Sequence, residues 1–396
     1  MFGCVTSVGL YDRGARVIIW IALREAGFPF WLCVQHLDDM CAMGPANSGL
    51  LDKFYEAYFR ICEEVGVSLA SLDDPEKAFS PCTRGQMLGI FFDTTEWVWW
   101  LSKDKISRYV NDIDCLRKKK EATQREIWSV VGKVLYVVPL VPSGKYHIGA
   151  LLRLNNVSEN PNAVVLITVE VKEQLDWWFI FIQMCDGMMP IPSGYDECPP
   201  WAIECDSDAA GGSLNSPGRG VGAVLGKAWA QIVWPRYVNS NKVALCCQSK
   251  WRHKLSYLEL CGHMLHLTAF AEEVAGRTVV TNIDNFGSTI IFKKGYDVRC
   301  NITDCLIRAS NYVAVALGSR AFVRDITRCS TVNSEAADAL SKSDFVRFFR
   351  LIPDRELEQR HVPRSFLRWL DNPVDSSSLG PNIVADLRAR GIKTFL

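Results

Sequence analysis

The segment WAIECDSDAAGG, residues 201–212, decides the fold of the second half of the chain. Its apolar residues alternate with Glu204, Asp206 and Asp208, which is the period of a β-strand with one packed face and one acidic face. Two glycines then end the strand and allow a sharp turn. An acidic strand end of this kind offers hard oxygen ligands to Mg²⁺, although Asp, Ser and Gly also form ordinary surface turns.

The elements after this strand follow a mixed α/β order. Two further strand candidates, Val221–Gly226 and Trp229–Trp234, come first, and an amphipathic helix with Glu259 near its start follows. A buried-looking strand then ends at Asp284, and a helix, another strand and a helix start with Asp338 come next. This order predicts an α/β domain with a mixed sheet.

Four acidic residues lie where such a sheet would bring them together. Asp208 and Asp284 each lie at the C-terminal end of an apolar strand, where α/β sheets place their sites. Glu259 and Asp338 lie on helices that we expect to pack on that sheet. Converging carboxylates repel one another unless cations are present, so the sequence predicts a site for two Mg²⁺ (or Mn²⁺) ions that hydrolyses phosphodiesters. One ion would activate the attacking water, and the other would stabilise the leaving 3′-oxygen.

Each acid also has an ordinary explanation. Glu259 fits a surface helix residue, and Asp338 fits a charge favoured by the helix dipole at an N-terminus. Alternation alone does not separate Asp206 from Asp208, because both lie on the same strand face. The position beside the glycines favours Asp208 and leaves Asp206 as an alternative ligand or a residue that supports the ligand.

The composition indicates a folded protein of several domains. Its 396 residues exceed one compact core, and 48% hydrophobic with 22% charged residues is not the composition of a disordered chain. The 15 cysteines are irregularly spaced and form no CxxC, which favours reduced thiols in the cytoplasm or nucleus over disulfides or a zinc ribbon. The sequence shows no secretory leader and no membrane span.

A second acidic pair lies in FWLCVQHLDDMCAMG, residues 30–44. The pattern predicts a buried hairpin that carries Asp38 and Asp39 at its tip. Such a pair is usually solvated, but long apolar flanks also suit two divalent ions for phosphoryl transfer.

Aromatic and basic segments follow this hairpin. LGIFFDTTEWVWWLS, residues 88–102, predicts another hairpin with three tryptophans, Trp97 and Trp99 among them, on its second strand. They form either a packed aromatic hairpin or a platform for a nucleic-acid strand. Residues 103–154 are helical and basic, and Gly132 there would allow a close helix approach. The basic side chains are either a solvated face or contacts to backbone phosphates, and they include Lys118, Lys119, Lys120 and Lys133.

Several motifs resemble reverse-transcribing elements. The pattern DAAGG…GVGAVL…LEL…VTNIDN…AADALSK resembles their ribonuclease H domain. QHLDDM resembles the palm signature YxDD with His36 in place of tyrosine, residues 88–102 resemble the primer-grip hairpin, and REIWSVVGKVLYVVPLVPSG resembles the thumb. DAAGGS and ADALSK are most similar to DIRS-group retrotransposons. The resemblance implies metal binding by Asp38 and Asp39 and a palm lysine at Lys77.

The resemblance also implies a division of the chain. Its expected segments are 1–102, a partial palm with the primer-grip-like hairpin; 103–154, a thumb-like segment; 155–200, a connector; 201–345, a ribonuclease H-like domain; and 346–396, a C-terminal tail. Too few residues precede the LDD hairpin for the strand that carries the remaining palm aspartate. We therefore expect a fragment truncated within the palm, whose polymerase activity is lost or depends on the missing part.

The expected activity is two-metal hydrolysis of RNA in RNA–DNA hybrids. The expected partners are the hybrid and the template–primer duplex, while neither a membrane nor an oligomeric state is indicated. The alternatives are a catalytically inactive remnant that binds nucleic acid or a partner, and a decaying copy without function.

Overall fold

The computed structural model describes residues 5–36, 39–69, 81–141, 143–184, 188–191, 198–210, 212–213, 216–217, 219–235, 251–327, 329–356, 358–373 and 378–395. The chain divides into two compact units. Unit 1 comprises Met1–Ser107 and Met184–Ile191, and unit 2 comprises Arg108–Gln183 and Pro192–Leu396. The division into five segments stays a prediction. Among the described residues, no helix combines the length and the apolar character needed to cross a membrane.

Helices and strands are numbered in chain order. The helices are α1 (Val5–Ala26), α2 (Leu50–Glu64), α3 (Lys103–Arg117), α4 (Gln124–Val137), α5 (Gly149–Asn155), α6 (Val169–Met184), α7 (Trp251–Ala269), α8 (Ala271–Val274), α9 (Phe286–Lys294), α10 (Asn301–Ala316), α11 (Val332–Ser341), α12 (Phe345–Leu351), α13 (Arg364–Asp371) and α14 (Leu379–Ala389). The strands are β1 (Cys33–His36), β2 (Asp39–Ala42), β3 (Arg84–Met87), β4 (Ile90–Asp93), β5 (Val98–Trp100), β6 (Glu121–Thr123), β7 (Val164–Leu166), β8 (Met188–Pro190), β9 (Ile203–Ala209), β10 (Gly212–Ser213), β11 (Ser216–Pro217), β12 (Gly220–Leu225), β13 (Ala228–Val233), β14 (Thr278–Ile283) and β15 (Arg320–Asp325). Short 3₁₀ turns span Phe30–Leu32, Val138–Leu140 and Gly144–His147.

Unit 1 contains both hairpins that the sequence predicts. Strands β1 and β2 pair antiparallel beside the packed helices α1 and α2, whose contact buries Leu23, Phe54 and Ile61. Strands β4 and β5 form the second hairpin, within an antiparallel sheet of order β3-β4-β5-β8. Trp97 lies in the turn with a φ of 57°, so the prediction that it belongs to the second strand is wrong.

Unit 2 confirms the predicted α/β class. Its five-stranded sheet has the order β13-β12-β9-β14-β15, in which β9, β12 and β13 are antiparallel neighbours while β14 runs parallel to both β9 and β15. Strand β9 forms from residues 203–209 of the segment WAIECDSDAAGG, and it lies in the middle of the sheet. Helices cover both faces of this part of the sheet: α7 packs on Ser207, and α11 packs on the opposite face, at Gly222 of β12.

The C-terminal residues are more extensively packed than the sequence indicates. Helices α13 and α14 bury Phe366, Leu370, Ile383 and Leu387 in the same core cluster as α7 and α10. These side chains recur at helical spacing, so the apolar face of each helix is covered by the core. The predicted tail therefore forms part of the folded body of unit 2.

A buried ionic cluster joins α5 and α6 to α10 within unit 2. Asp304 is fully buried, and Arg153 Nη2 lies 3.5 Å from its Oδ2 and 2.7 Å from Glu170 Oε1. Arg308 Nη2 lies 3.2 Å from the same Glu170 oxygen. Burial raises the pKa of Asp304 to about 6, against the opposing effect of the two arginines. Helix α5 can approach Asp304 closely because Gly149 has no side chain. A Cβ at this position would lie 2.2 Å from Asp304 Oδ1.

Candidate metal centre

Three predicted acidic residues converge at one edge of the five-stranded sheet. Asp208, Glu259 and Asp284 each offer a carboxylate oxygen, and these oxygens all lie within 4.8 Å of one another. Asp208 and Glu259 are buried, while Asp284 is half-buried. The three acids come from β9, α7 and the end of β14, so tertiary packing brings them together and not proximity in sequence.

The parallel pairing of β9 and β14 places Asp208 and Asp284 side by side. Asn282 is paired with Asp206 in the sheet, so two residues further along each strand the chain reaches Asp284 and Asp208. The carboxyl ends of parallel strands share one edge of a sheet, which is where α/β proteins place their sites. Asn285 then caps α9 by accepting a hydrogen bond from Ser288 N at 2.9 Å, and this cap turns the chain away directly after Asp284.

Glu259 reaches the same edge because α7 lies very close to β9. A Cβ on Gly262 would lie 2.6 Å from Ser207 Oγ and 3.3 Å from Val221 Cγ2, so a larger residue would push the helix away from the sheet. Glu259 lies one turn before Gly262 and therefore on nearly the same face of the helix. Its side chain is 2% exposed. The interpretation of Glu259 as a surface helix residue is wrong.

Asp338 is placed differently from the other three acids. It lies in the second half of α11, so the interpretation as a charge at a helix N-terminus is wrong. Its side chain is buried, and its Oδ1 lies 2.5 Å from Lys342 Nζ while its Oδ2 lies 2.8 Å from Arg347 Nη1. Asp338 is not one of the three residues whose oxygens lie within 4.8 Å of one another. Its role as a fourth metal ligand stays a prediction.

Asp206 belongs to a polar network on the sheet face that also carries Asp208. Asn282 Nδ2 donates to Asp206 Oδ1 at 3.1 Å and to Glu204 Oε2 at 3.2 Å, and Arg324 Nε donates to Asn282 Oδ1 at 2.9 Å. Burial raises the pKa of Asp206, although the Asn282 bond lowers it. Asp208, not Asp206, lies in the group of three acids, which favours the choice made from its position at the strand end.

Of the other predicted site residues, Asp38, the side chain of Asp39 and Lys77 lie outside the described residues. Trp97 is 50% exposed in its turn, and Trp99 is half-buried in β5. Their roles in metal or nucleic-acid binding stay predictions.

The predicted basic residues of unit 2 are largely ion-paired with acids. Lys118 Nζ lies 2.5 Å from Asp114 Oδ2, and Lys133 Nζ lies 2.6 Å from Asp112 Oδ2. Lys119 Nζ lies 2.5 Å from an oxygen of Glu126, the acid that also closes the capping box of α4. Pairs at exposed lysines such as Lys118 and Lys119 contribute about 0–1 kcal/mol each, so a phosphate backbone can displace them.

The sequence reasoning missed three residues beside the acids. Ser341 Oγ lies 2.5 Å from Asp208 Oδ2, and Lys342 and Arg347 neutralise Asp338. Ser341 had a signal in the sequence, because it follows Asp338 by three residues and therefore shares a helix face with it. Arg347 had none, since it lies on the next helix.

The group of three carboxylates fits a divalent ion of the Mg²⁺ type. All three donors are carboxylate oxygens, which hard cations prefer. Two of the three side chains are buried, so water screens their mutual repulsion poorly and a cation between them would compensate it. Asp208, Glu259 and Asp284 are therefore the residues that would hold the ion.

Comparison with known proteins yields structural similarities alone. No protein-family model matches the chain, and no curated protein matches it. The chain is similar to foamy viral protease–reverse transcriptase in complex with an RNA/DNA hybrid, with a TM-score of 0.37 and 14% identity over 82% of this chain and 38% of that chain. It is also similar to foamy viral protease–reverse transcriptase dRH in complex with double-stranded DNA, with a TM-score of 0.36 and 14% identity over 80% of this chain and 49% of that chain.

The chain thus spans less than half the length of both viral proteins. At TM-scores this low, the functional proposal rests on the geometry of the acidic site.

Proposed function

We propose that unit 2 contains a metal-dependent nuclease of the ribonuclease H type, which hydrolyses the RNA strand of RNA–DNA hybrids. The observation that carries the proposal is the convergence of Asp208, Glu259 and Asp284 at the carboxyl edge of a mixed sheet, with carboxylate oxygens within 4.8 Å of one another. Divalent ions bound there supply Lewis-acid chemistry, which lowers the pKa of an attacking water and stabilises the leaving 3′-oxygen.

The residues of the chain hold and orient this site. Asp208 and Asp284 are fixed by the sheet, and Glu259 is fixed by the contact of Gly262 with β9. Asp338 lies on the helix that covers the other face, and we propose it as the further ligand that a second ion would recruit. Lys342 and Arg347 would then leave Asp338 and bind the phosphates of the nucleic-acid strand, because both side chains are partly exposed to solvent.

Hybrid binding would use sequence-independent contacts. Lys118, Lys119 and Lys120 lie between α3 and β6, Lys133 lies on α4, and their charges suit the phosphate backbone. Discrimination between RNA and DNA strands would depend on groove shape and on contacts to the 2′-hydroxyl. The polymerase role of Asp38 and Asp39 stays a prediction of the sequence.

Cleavage of a labelled RNA–DNA hybrid in Mg²⁺ tests the proposal. The full chain is compared with Asp284→Asn and with Asp325→Asn. Asp325 is a matched control, because it is an exposed carboxylate at the end of β15, the strand parallel to β14, and lies outside the group of three.

We expect the wild type and Asp325→Asn to cleave the RNA strand. Asp284→Asn should be slower by more than about a hundredfold, since loss of even an outer-shell partner of a metal site costs about 10–100-fold. Circular dichroism checks that each protein is folded. Equal cleavage by wild type and Asp284→Asn, or a folded wild type that does not cleave, contradicts the proposal.

One observation favours the alternative of an inactive nucleic-acid-binding remnant. Two cations already neutralise Asp338, which leaves three acids for the metal. A remnant would bind the hybrid with a steep salt dependence, bind Mg²⁺ weakly and show no cleavage. Binding and cleavage measured on the same preparation separate these two functions.

A further inference from the structure

A glycine on β12 brings α11 into direct contact with the sheet at the level of Asp208. Gly222 is the antiparallel partner of Asp208 in the sheet. A Cβ on Gly222 would lie 2.4 Å from Leu340 Cβ, 2.7 Å from Ala337 O and 3.1 Å from Ser341 N. The last turn of α11 therefore lies on the strand position next to Asp208, and no other side chain fits between them.

This contact places one hydroxyl on the metal-site carboxylate. Ser341 is fully buried, and its Oγ donates to Asp208 Oδ2 at 2.5 Å. The carbonyl oxygen of Asp338 is also within reach of the hydroxyl, at 2.9 Å. A hydroxyl has one proton to donate, and an ionised carboxylate is a stronger acceptor than a backbone carbonyl. The proton is therefore directed to Asp208.

We propose that Ser341 is a positioning residue for Asp208, an inference that rests on the proposed function. The hydrogen bond fixes the torsion of a carboxylate that otherwise has two broad orientations, so Asp208 is held in the orientation that faces Glu259 and Asp284.

The chain offers a matched control for the loss of this hydroxyl. Ser310 is also a buried helical serine, 2% exposed, and its Oγ donates to Leu306 O at 2.8 Å within α10. Ser341→Ala and Ser310→Ala remove the same atom from similar surroundings. Loss of Asp208 positioning is expected from Ser341→Ala alone.

The test measures Mg²⁺ binding to the full chain by calorimetry in the absence of nucleic acid, with hybrid cleavage as a function of Mg²⁺ concentration as a second readout. We expect Ser341→Ala to bind Mg²⁺ about 10–100-fold more weakly, as for other outer-shell partners of metal ligands. Its cleavage should approach that of wild type at saturating Mg²⁺, and Ser310→Ala should match wild type throughout. Ser341→Cys, which keeps the shape but offers a weak S–H donor, replaces Ser341→Ala should the latter not fold.

The outcomes separate this inference from the proposed function. Wild type that binds Mg²⁺ and cleaves, together with Ser341 variants of unchanged Mg²⁺ affinity, overturns the positioning role and leaves the nuclease proposal standing. Wild type that binds no Mg²⁺ overturns both. If the wild type binds Mg²⁺ but does not cleave the hybrid, the nuclease proposal is contradicted. Weaker Mg²⁺ binding by Ser341→Ala than by that wild type would still support the positioning role.

Discussion

Arg347 Nη1 lies 2.8 Å from Asp338 Oδ2, so the carboxylate that the sequence predicts as a fourth metal ligand is ion-paired within the protein. Lys342 Nζ contacts the other oxygen at 2.5 Å, so both oxygens of a buried carboxylate have cationic partners. Metal binding by Asp338 therefore competes with two protein cations. The competition has a measurable consequence for the second ion.

Arg347→Gln should increase the apparent affinity for Mg²⁺. The arginine side of the pair is partly exposed and Lys342 still contacts Asp338 in the variant, so we expect a gain of about 1 kcal/mol, which corresponds to about fivefold in affinity. The Mg²⁺ concentration that gives half-maximal cleavage should fall by up to about this factor, measured by titration with a labelled hybrid. Arg350→Gln, at an exposed arginine of the same helix, serves as the control and should leave the titration unchanged. Weaker Mg²⁺ binding by Arg347→Gln would show that the arginine supports the site instead of competing for Asp338.

Acid should destabilise unit 2 through two buried histidines. Nδ1 of His263 and Nδ1 of His266 lie 2.8 Å and 2.7 Å from Thr281 Oγ1, and both rings are fully buried. Burial lowers the pKa of each from 6.5 to about 3. The unfolded chain therefore binds more protons between these values, and the stabilisation that is complete above pH 6.5 is lost as the pH falls.

At about pH 5.5 each histidine should cost about 1.4 kcal/mol of unfolding free energy. Asp304 acts in the opposite direction, because its folded pKa of about 6 lies above its ordinary 3.8 and its protonation on folding relieves part of the burial cost as the pH falls. Urea unfolding across this pH range measures the net effect. His266→Asn keeps a polar atom near the Nδ1 position and should reduce the pH slope by one proton. A flat profile from neutral pH to about pH 5 contradicts the assignment of neutral histidines.

Gly222→Ala, on the strand next to Asp208, should disrupt the metal centre by displacing α11. The added Cβ meets Leu340 Cβ at 2.4 Å and a backbone oxygen at 2.7 Å, so α11 must shift outward and carry Ser341 away from Asp208. Overpacking of this kind costs about 1–3 kcal/mol, and weaker Mg²⁺ binding should accompany it. Gly132→Ala is the control, because nothing lies within 4 Å of a Cβ there and alanine should stabilise α4 by about 0.5–1 kcal/mol. Denaturant unfolding and calorimetry measure the two effects, and equal behaviour of the two variants contradicts the close contact.

Gly132, Gly222 and Gly262 differ in what lies beside them, and the sequence does not indicate this difference. Gly132 is predicted to permit a close helix approach, but that prediction is wrong because open space surrounds it. Gly222 and Gly262 instead make the close contacts, and neither had a local signal that named its partner. A glycine permits an approach, while the tertiary path of the chain decides what approaches.

Periodic apolar patterns in the sequence predicted secondary structure more successfully than isolated charged residues predicted contacts. The alternation in β9 and the apolar run before Asp284 predicted both strands, because a half-buried or buried strand imposes a period that the sequence must carry. The helix that carries Glu259 was predicted, but its residues 256–269 are all buried, so helical periodicity did not indicate which way Glu259 points. Lys342 had a signal in the sequence, because it follows Asp338 by four residues, but Arg347 had none, since it reaches Asp338 from the next helix.

Hybrid binding should respond differently to substitution of Lys118 and of Lys120, which lie in the turn between α3 and β6. Lys120 is exposed and has no ion pair in the described part of the chain, whereas the charge of Lys118 is offset by Asp114, whose pKa is lowered mainly by its hydrogen bond to Lys118. Lys120→Gln should therefore weaken binding more than Lys118→Gln and reduce the salt dependence by about one phosphate contact. Asp114→Asn should strengthen binding, because it releases Lys118 to the phosphate backbone. Fluorescence anisotropy with a labelled hybrid at several salt concentrations measures all three variants. Equal salt slopes for the wild type and Lys120→Gln would remove Lys120 from the interface, and unchanged binding by Asp114→Asn would do the same for Lys118.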